Sequence, residues 1–589
     1  MTEAAIYRSE VRDGMRVDWD VPIAMDDGLV LRADVYRPIG PGRYPVLMTY
    51  GPYAKWLSWQ DGYKTVWDMF SHDHPEAIAG STNKYQTWET VDPEHWVPDG
   101  YAVVRVDSRG AGRSPGFIDH YSPRETKDYA ACIEWAGVQP WSNGKVGLNG
   151  ISYYGSNQWH VACLQPKHLA AMCIWEGAAD MYREFCYHGG IMCTFLPNWF
   201  DMQIKTIQHG LGDAGYRSNI IAGELVSGPP TLAPATLAKN RQDIEKDILA
   251  HPLDDKWHRD RSPDWSKVVT PFLSTASWAG QGLHPRGNYE GYVRAAAKEK
   301  WLEIHGLEHW TEFYTPYGRE LQKQFFAHYL KGEKNGWNRK PRVLVKTRHV
   351  GERFVPRTEK EWPLPQTKWT KLFLDPAHMS LGAKAPAKKT TVTYDGLGDG
   401  VTFFLPPADR ETELLGPIAA KLFVSSETSD ADLFLVVRLF TGDMKEVTFQ
   451  GTVDPHTPIA QGWLRASHRK LDRKLSKPYW PYHTHNEKQP LTPGRIYECD
   501  VEIWPTGIVV PAGYRIALTV RGKDYVYPGG GQRLSNMKNE LTGCGPFLHD
   551  NPKDRPARVF GGRVTVHAGP KHPSYLMLPV IPAKTRGKR

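Results

Sequence analysis

The first third of the chain alternates short apolar runs with segments of helical periodicity. The apolar runs are PVLMTY (45–50), YAVVRVD (101–107), KVGLNG (145–150) and AAMCIWEG (170–177). Each of these runs ends at or near turn residues, which is typical of strands buried on both faces of a sheet. Helices are predicted at 125–137, where apolar residues recur on one face, and at about 153–165. Strands that alternate with helices build a mostly parallel sheet covered on both faces.

Two later changes of pattern divide the rest of the chain. A helical, aromatic and loop-rich stretch begins near residue 182, and the strand pattern returns at 270–278 and 300–306. Beyond a charged, proline-rich stretch at 357–369, short strands follow one another without helices, which is typical of a β-sandwich or jelly roll. We therefore predict an α/β fold with a sheet domain at 1–181 and 266–356, a helical cap at 182–265 and a jelly-roll domain at 366–589.

Composition and charge exclude several classes of protein. The 589 residues include 23% charged and 40% hydrophobic residues, which indicates at least two globular domains. The net charge of +8 is scattered apart from a short basic tail (584–589), so no nucleic-acid partner is expected. Seven cysteines form no CxxC pair, which argues against a disulfide scaffold or a zinc finger.

The sequence also bears on location and assembly. No run of 18 apolar residues is present, so no membrane span or membrane partner is expected. The first residues include acids and lack the apolar core of a signal peptide, which predicts a cytoplasmic protein. Homo-oligomerisation is left open.

The segment GKVGLNGISYYGSNQW (144–159) carries the clearest chemical signal. A strand, Gly150, Ser152 and then a helix make the form of a nucleophile elbow, which raises a serine hydroxyl above the sheet edge. The elbow also points the backbone N–H of Tyr153 at the reacting carbonyl oxygen, and the helix N-terminus favours negative charge there. The G-x-S-x-G pattern is imperfect, because Tyr154 occupies its last position and Gly155 follows one residue later.

Three motifs together resemble a known family. QPWSNGKVGLNGISYYG (139–155), VDSRGAGRSPG (106–116) and GPYAKW (51–56) are similar to motifs of the CocE/NonD hydrolases. That family is related to cocaine esterase, α-amino-acid ester hydrolases and X-Pro dipeptidyl-peptidases. The resemblance implies an α/β-hydrolase domain with a helical cap and a C-terminal jelly roll. It implies Ser152 as the nucleophile and Tyr53 as a second oxyanion donor, with no metal or organic cofactor.

The general base is expected on the loop after the last sheet strand, downstream of the serine. WLEIHGLEHWTEFY (301–314) offers His305 and His309 there. Alignment with the family's Gly-Pro-Trp-x-His turn places His309 at the catalytic position and His305 inside the turn, where it is structural. The same residues match the H-x-x-E-H zinc pattern, but Gly306 and a preceding strand break the helical face that zinc ligands at this spacing need, so no metal is predicted.

The acid of the triad is where the chain departs from the family. The family's aspartate position falls on Gly280, in TASWAGQG (275–282). Glu176, at the end of the neighbouring strand, is the predicted substitute, because an imidazolium needs an anion to orient and stabilise it. The alternatives left open are Glu308, Glu290 and Glu312, whereas Asp180 is interpreted as structural.

Aromatic residues are dense in the insertion at 55–98 and in the cap, where they either line an acyl pocket or pack the insertion onto the sheet. The candidate substrate-binding residues are Trp56, Trp59, Tyr182 and Trp278. The sequence thus predicts a serine hydrolase acting on a small-molecule ester or amide through an acyl-enzyme. The alternatives are an amidase, a peptidase or an acyltransferase with the same triad, and a non-catalytic protein that binds carbohydrate or a partner.

Overall fold

The computed structural model describes residues 8–534 and 537–583. The basic tail and the first seven residues, which entered the expectations about partners and location, lie outside these ranges. Among the described helices, none is long and apolar enough to cross a membrane.

An eleven-stranded sheet forms the N-terminal part. Its strands in chain order are β1 (Arg8–Arg12), β2 (Met15–Ala24), β3 (Val30–Arg37), β4 (Tyr44–Gly51), β5 (Ala102–Asp107), β6 (Ser142–Ile151), β7 (Leu169–Trp175), β10 (Phe272–Ser277), β11 (Lys300–His305), β12 (Val343–His349) and β13 (Arg353–Glu359), while β8 (Tyr187–His188) and β9 (Ile191–Met192) form a separate hairpin. Their spatial order is β1-β2-β3-β5-β4-β6-β7-β10-β11-β12-β13. In this spatial order, the consecutive strands β5-β4-β6-β7-β10-β11-β12 are parallel to one another, as the alternating pattern predicts. The order is consistent with an α/β-hydrolase sheet.

Helices cover this sheet and fill the segment between β7 and β10. The α-helices are α1 (Trp59–Gly62), α2 (Lys64–Asp73), α3 (Pro75–Ile78), α4 (Pro93–Trp96), α5 (Pro123–Gly137), α6 (Tyr153–Ala162), α7 (Phe195–Trp199), α8 (Pro234–Lys239), α9 (Ile244–Ala250), α10 (Lys256–Arg259), α11 (Pro285–Arg294), α12 (Thr311–Tyr314), α13 (Pro316–Phe326) and α14 (Ala557–Phe560). The π-helical turns are Met181–Cys186, Phe200–Ile204 and Ala327–Lys331, and the 3₁₀ turns are Lys205–Ile207, Gly212–Ala214, Trp265–Lys267, Trp278–Gly280, Trp337–Arg339 and Ala466–His468. The predicted helices at 125–137 and 153–165 are present as α5 and α6.

The C-terminal part consists mainly of β-strands in two layers, with the 3₁₀ turn Ala466–His468 and α14 between strands. The strands are β14 (Lys368–Asp375), β15 (Ser380–Gly382), β16 (Thr390–Asp395), β17 (Val401–Phe404), β18 (Thr412–Ser426), β19 (Asp432–Phe440), β20 (Glu446–Val447), β21 (Ala460–Arg465), β22 (Tyr497–Val510), β23 (Arg515–Arg521), β24 (Arg563–Ala568) and β25 (Tyr575–Ile581). Strand β18 pairs with β22, β24 and β25, whereas β19 pairs with β21 and β23. Alternate residues of β18 and β19, such as Leu422 and Leu435, bury into one shared core, so the two layers form a sandwich. The jelly-roll connectivity and the domain boundaries stay predictions.

Candidate active site

Strand β6 ends in a sharp turn that carries Ser152. This residue has φ 58° and ψ −111°, and α6 begins at the next residue. A positive φ in a residue other than glycine is a strained backbone conformation, and such strain collects at functional sites. Glu89 (φ 61°) and Glu176 (φ 48°) also have a positive φ. The Ser152 N–H donates to the carbonyl of Trp175 over 2.9 Å, which ties the turn to the end of β7.

The two glycines of the elbow are required by close approaches. A Cβ at Gly150 would lie 2.5 Å from Cβ of Tyr154, and a Cβ at Gly155 would lie 2.3 Å from the carbonyl oxygen of Trp175. Neither distance is possible for a side chain without a shift of the backbone. The small residue that the elbow needs after the serine is therefore Gly155, which explains why Tyr154 is tolerated in the last position of the motif.

The imidazole next to the serine belongs to His284. Its Nε2 lies 3.1 Å from Ser152 Oγ, within hydrogen-bond distance. His284 stands between β10 and α11 and is only 3% exposed. The sequence predicted His309 for this position. The structure places the His309 ring beside that of His284, with 5.0 Å between the ring centroids, and so one ring further from the serine.

His309 has a carboxylate partner of its own. Its Nε2 lies 2.8 Å from Oε1 of Glu89, a residue on the insertion between β4 and β5. Both side chains are buried, and both border the same cavity as Ser152. Across residues 8–534 and 537–583, Nδ1 of His284 and Nδ1 of His309 have no hydrogen-bond partner. Serine, two imidazoles and a glutamate therefore follow one another in space, as Ser152, His284, His309 and Glu89.

Burial sets the charges in this group. Burial, together with the adjacent His309, holds the pKa of His284 well below its usual range, so its ring is a neutral acceptor for the serine proton. Burial also lowers the pKa of His309 to about 4 and raises the pKa of Glu89 well above its usual range. These shifts favour an uncharged pair in which the Glu89 carboxyl carries the proton and the His309 ring is neutral.

Two donors are available for an oxyanion beside Ser152. The Tyr53 phenol oxygen accepts a hydrogen bond of 3.1 Å from Trp199 Nε1, so its own O–H is free to donate. Burial raises the pKa of Tyr53 well above its usual range, which keeps the phenol protonated. The Tyr153 N–H donates to no acceptor among the described residues. Tyr53, Ser152 and Tyr153 border one cavity.

Glu176, the predicted acid, contacts a different histidine. Its Oε1 lies 3.0 Å from Nε2 of His305, and its Oε2 accepts from the Ser277 N–H over 3.2 Å. His305 Nδ1 hydrogen-bonds Glu303 over 2.7 Å. Although burial opposes it, contact with Glu303 and Glu176 raises the pKa of His305 to about 10, so this ring is a cation held between two carboxylates. A Cβ built on Gly280 would lie 3.5 Å from Glu176 Oε2.

The other carboxylates considered from the sequence have partners of their own. Glu308 contacts Nε2 of His74 over 3.1 Å, and Glu290 pairs with Arg286 and Arg294. Glu312 pairs with Lys346. Asp180 accepts from two backbone N–H groups of the π-helical turn that follows it, as expected for a structural residue. His305 and His309 have different carboxylate partners, Glu176 with Glu303 for the first and Glu89 for the second.

A mostly apolar cavity of about 60 Å³ opens beside Ser152. It is lined by Tyr53, Val66, Trp88, Glu89, Tyr121, Ser152, Tyr153, Phe185, Phe195, Leu196, Trp199, Gln203, Leu283, His284, His309, Trp310, Thr452, Val453, Met537, Pro546 and Phe547. The walls therefore come from the insertion, from the segment between β7 and β10, and from the C-terminal part. The volume is far below the roughly 300–1,000 Å³ of pockets for drug-sized ligands.

None of the four candidate substrate-binding residues borders this cavity. Trp56 is covered by the cationic groups of Lys55 and Arg113, at 4.4 and 4.2 Å from its ring. The other three pack in the interior, with Trp59 stacked on Phe70 at 4.9 Å, Tyr182 stacked on Tyr187 at 4.8 Å, and Trp278 donating to the Lys346 carbonyl. Their role in substrate binding stays a prediction.

Sequence reasoning did not consider His284 or Glu89. His284 follows Gly280, the position that lacks the family's aspartate, by four residues. The available signal was a histidine that directly precedes a helix beginning with proline. Glu89 had no comparable signal. It lies between α3 and α4 in the insertion, and only the tertiary path of that insertion brings it to the edge of the sheet that carries Ser152.

Two family comparisons cover most of the chain. Residues 27–311 match the X-Pro dipeptidyl-peptidase family S15, and residues 335–577 match the C-terminal non-catalytic domain of X-Pro dipeptidyl-peptidases. The first match contains Ser152, His284 and His309, and the second spans much of the two-layered β part.

Individual relatives agree with this assignment. A CocE/NonD family hydrolase of known structure from Staphylococcus aureus is 31% identical, with a TM-score of 0.84 over 99% of this chain and 97% of that one. The cocaine esterase of Rhodococcus sp. is 24% identical over 95% of this chain and 98% of its own length. An α-amino-acid ester hydrolase shares the fold, with a TM-score of 0.66 at 15% identity over 98% of this chain and 99% of that one.

Proposed function

We propose that this chain, which belongs to the CocE/NonD hydrolase family and is a serine hydrolase, cleaves esters of small carboxylic acids through an acyl-enzyme. The observation that carries this proposal is the 3.1 Å contact between Ser152 Oγ and His284 Nε2 at a strained elbow. A neutral imidazole at this distance is able to take the hydroxyl proton as the oxygen attacks a carbonyl carbon.

The reaction is proposed to run in two halves. Ser152 Oγ bonds to the carbonyl carbon while its proton passes to His284 Nε2, and the carbonyl oxygen becomes an oxyanion that receives the Tyr53 O–H and the Tyr153 N–H. His284 then gives the proton to the departing alcohol oxygen as the C–O bond breaks. Water repeats the sequence on the acyl-enzyme and releases the acid. The base in this proposal is His284, whereas the sequence prediction named His309.

The His309–Glu89 pair is proposed to position the His284 ring beside Ser152. The His309 ring packs against that of His284, with 5.0 Å between the ring centroids, and its contact with Glu89 holds it in place. Glu176 is proposed as a positioning residue, because its contacts hold His305 and the Ser277 N–H at the ends of the strands next to the serine.

The small apolar cavity supports a short acyl group. A space of about 60 Å³ next to the nucleophile accommodates an acetyl or propionyl group better than a long chain or an aromatic acid. Its lining is mostly hydrophobic, which favours an uncharged acyl group. The amide and acyl-transfer alternatives use the same atoms, and no contact in the cavity favours them.

A fluorophosphonate probe tests the proposal. We expect the probe to modify Ser152 alone, with the adduct located by peptide mass spectrometry, and p-nitrophenyl acetate to give a burst of one p-nitrophenol per active site. p-Nitrophenyl esters of longer acids and the p-nitroanilide of acetic acid are the comparison substrates. A probe adduct on another serine, or none on folded protein, would refute the mechanism, and faster anilide than ester cleavage would refute the ester assignment.

Replacement of the two glutamates separates their roles. Glu89→Gln is expected to lower kcat by less than the roughly 10⁴ seen when a triad acid is replaced by its amide, with little change in KM, because Glu89 reaches the base only through His309. Glu176→Gln is expected to lower kcat less and the thermal midpoint more, because it leaves the His305 cation with one of two carboxylates.

Steady-state kinetics and thermal unfolding measure both effects, and Glu308→Gln, which alters a carboxylate bound to His74, is the matched control. The reverse result, a kcat loss of about 10⁴ for Glu176→Gln and near-normal turnover for Glu89→Gln, would return the acid role to Glu176.

A further inference from the structure

A second cluster of reactive side chains lies away from the catalytic serine. His188 on β8, Cys193 just after β9 and His549 between β23 and α14 are all buried, each at most 1% exposed. One ring nitrogen of each histidine and the Cys193 sulfur lie within 4.8 Å of one another. The two nitrogens, Nδ1 of His188 and Nε2 of His549, are 2.8 Å apart.

The outer nitrogens of both rings face groups that only accept. His188 Nε2 lies 3.1 Å from the Glu184 carbonyl oxygen, and His549 Nδ1 lies 2.7 Å from Oδ1 of Asp524. Each outer nitrogen therefore carries a proton and donates it. In neutral rings, the two inner nitrogens then present lone pairs to each other at 2.8 Å, which is repulsive unless a proton or a metal ion lies between them.

The surroundings have the form that metal-binding histidines require. A ligating histidine commonly donates its other N–H to a carboxylate or a backbone carbonyl, which fixes its tautomer and orients its ring. Here His188 has a backbone carbonyl as this partner, and His549 has a carboxylate. A third ligand, the Cys193 thiol, completes a set of two nitrogens and one sulfur, which suits zinc.

We propose that His188 Nδ1, His549 Nε2 and Cys193 Sγ bind one zinc ion, with water as a fourth ligand. The thiol loses its proton to solvent as the Zn–S bond forms. With Zn–N bonds of about 2.05 Å, two nitrogens of a tetrahedral site lie about 3.3 Å apart, so the rings need to separate by about 0.5 Å.

The site would join two walls of the catalytic cavity. Cys193 and His549 each stand two residues from a cavity residue, Phe195 and Phe547, and the two phenyl rings are in contact with centroids 5.1 Å apart. Between them, the Thr194 N–H donates to the Leu548 carbonyl over 2.8 Å. Zinc would therefore fix the segment after β9 to the C-terminal part where both enclose the acyl group, and its role would be structural.

Metal binding to the intact protein tests the proposal. After removal of metal with a chelator, the wild type is expected to bind one equivalent of Zn²⁺ and to unfold at a higher temperature with it. Co²⁺ at the same site is expected to give a thiolate-to-cobalt charge-transfer absorption. Cys193→Ala should abolish that absorption, and Asp524→Asn should weaken Zn²⁺ binding about 10- to 100-fold. The control variant Cys163→Ala, a change at the end of α6, should leave both the absorption and the Zn²⁺ affinity unchanged.

Each contrary result overturns the zinc site. A folded wild type that binds no Zn²⁺ would leave a proton between the two rings. Charge-transfer absorption that persists in Cys193→Ala would place the metal on another thiol. If Cys193→Ala does not fold, the Asp524→Asn affinity and the wild-type stoichiometry decide, since neither depends on that variant.

Discussion

Ser152→Ala is expected to lower kcat for p-nitrophenyl acetate by about 10⁶, because removal of the nucleophile of a serine hydrolase leaves only the contributions of binding and of the oxyanion donors. Substrate affinity should change little, since the hydroxyl contributes a bond that forms only during reaction. The measurement is steady-state kinetics on protein free of wild-type contamination, with an intact-mass check that no acyl adduct accumulates.

Ser156→Ala provides the matched control for this variant. Ser156 is a buried serine on α6, one turn beyond Ser152, and its hydroxyl does not border the catalytic cavity. Its replacement should keep kcat within about tenfold of wild type. A Ser152→Ala enzyme that retains turnover, with folding verified by circular dichroism, would mean that another group attacks the ester.

His284→Asn is expected to cost as much as Ser152→Ala, about 10⁶ in kcat, because the serine hydroxyl then has no acceptor for its proton. His309→Asn is expected to cost at most about 10⁴, since His309 acts through its neighbour. The double variant Ser152→Ala/His284→Asn should be no slower than either single variant, as is usual for groups that act as a unit. A His309→Asn loss that equals the Ser152→Ala loss, with a milder His284→Asn, would restore the sequence prediction.

The pH profile distinguishes a base from a residue that only supports the fold. Catalysis requires the unprotonated base, so kcat/KM falls as the pH drops through the pKa of His284. Since burial and the His309 ring lower that pKa, the acidic limb is expected below about 6.5, the ordinary histidine value. His309→Asn removes one of the two causes of the lowered pKa of His284, so it should move the acidic limb to higher pH. If His309 only supported the fold, its replacement would leave the acidic limb in place.

Much of the sheet could be predicted because its residues follow simple rules. Runs such as 45–50 and 101–107 are apolar on both faces only where helices cover a parallel sheet, and they form β4 and β5. Ser152 could be identified because a strand, a glycine two residues before the serine and a following helix leave one local geometry. These signals are local, so one sequence suffices to find them.

The partners of Ser152 depend on contacts that local patterns do not encode. Two loops at the same sheet edge each carry a histidine, His284 and His309, and only the packed loops decide which ring reaches the hydroxyl. Large aromatic residues fill cores as readily as they line pockets, so composition did not separate Trp56, which is covered by cations, from Trp88, which borders the cavity.

The proximity of Gly280 to Glu176 restricts how this loop can vary. A side chain at position 280 would begin 3.5 Å from the Glu176 carboxylate, so an aspartate there would add a third carboxylate to a buried region where Glu176 and Glu303 already share one cationic histidine. An aspartate at position 280 is therefore expected to be tolerated only where position 176 carries an uncharged residue.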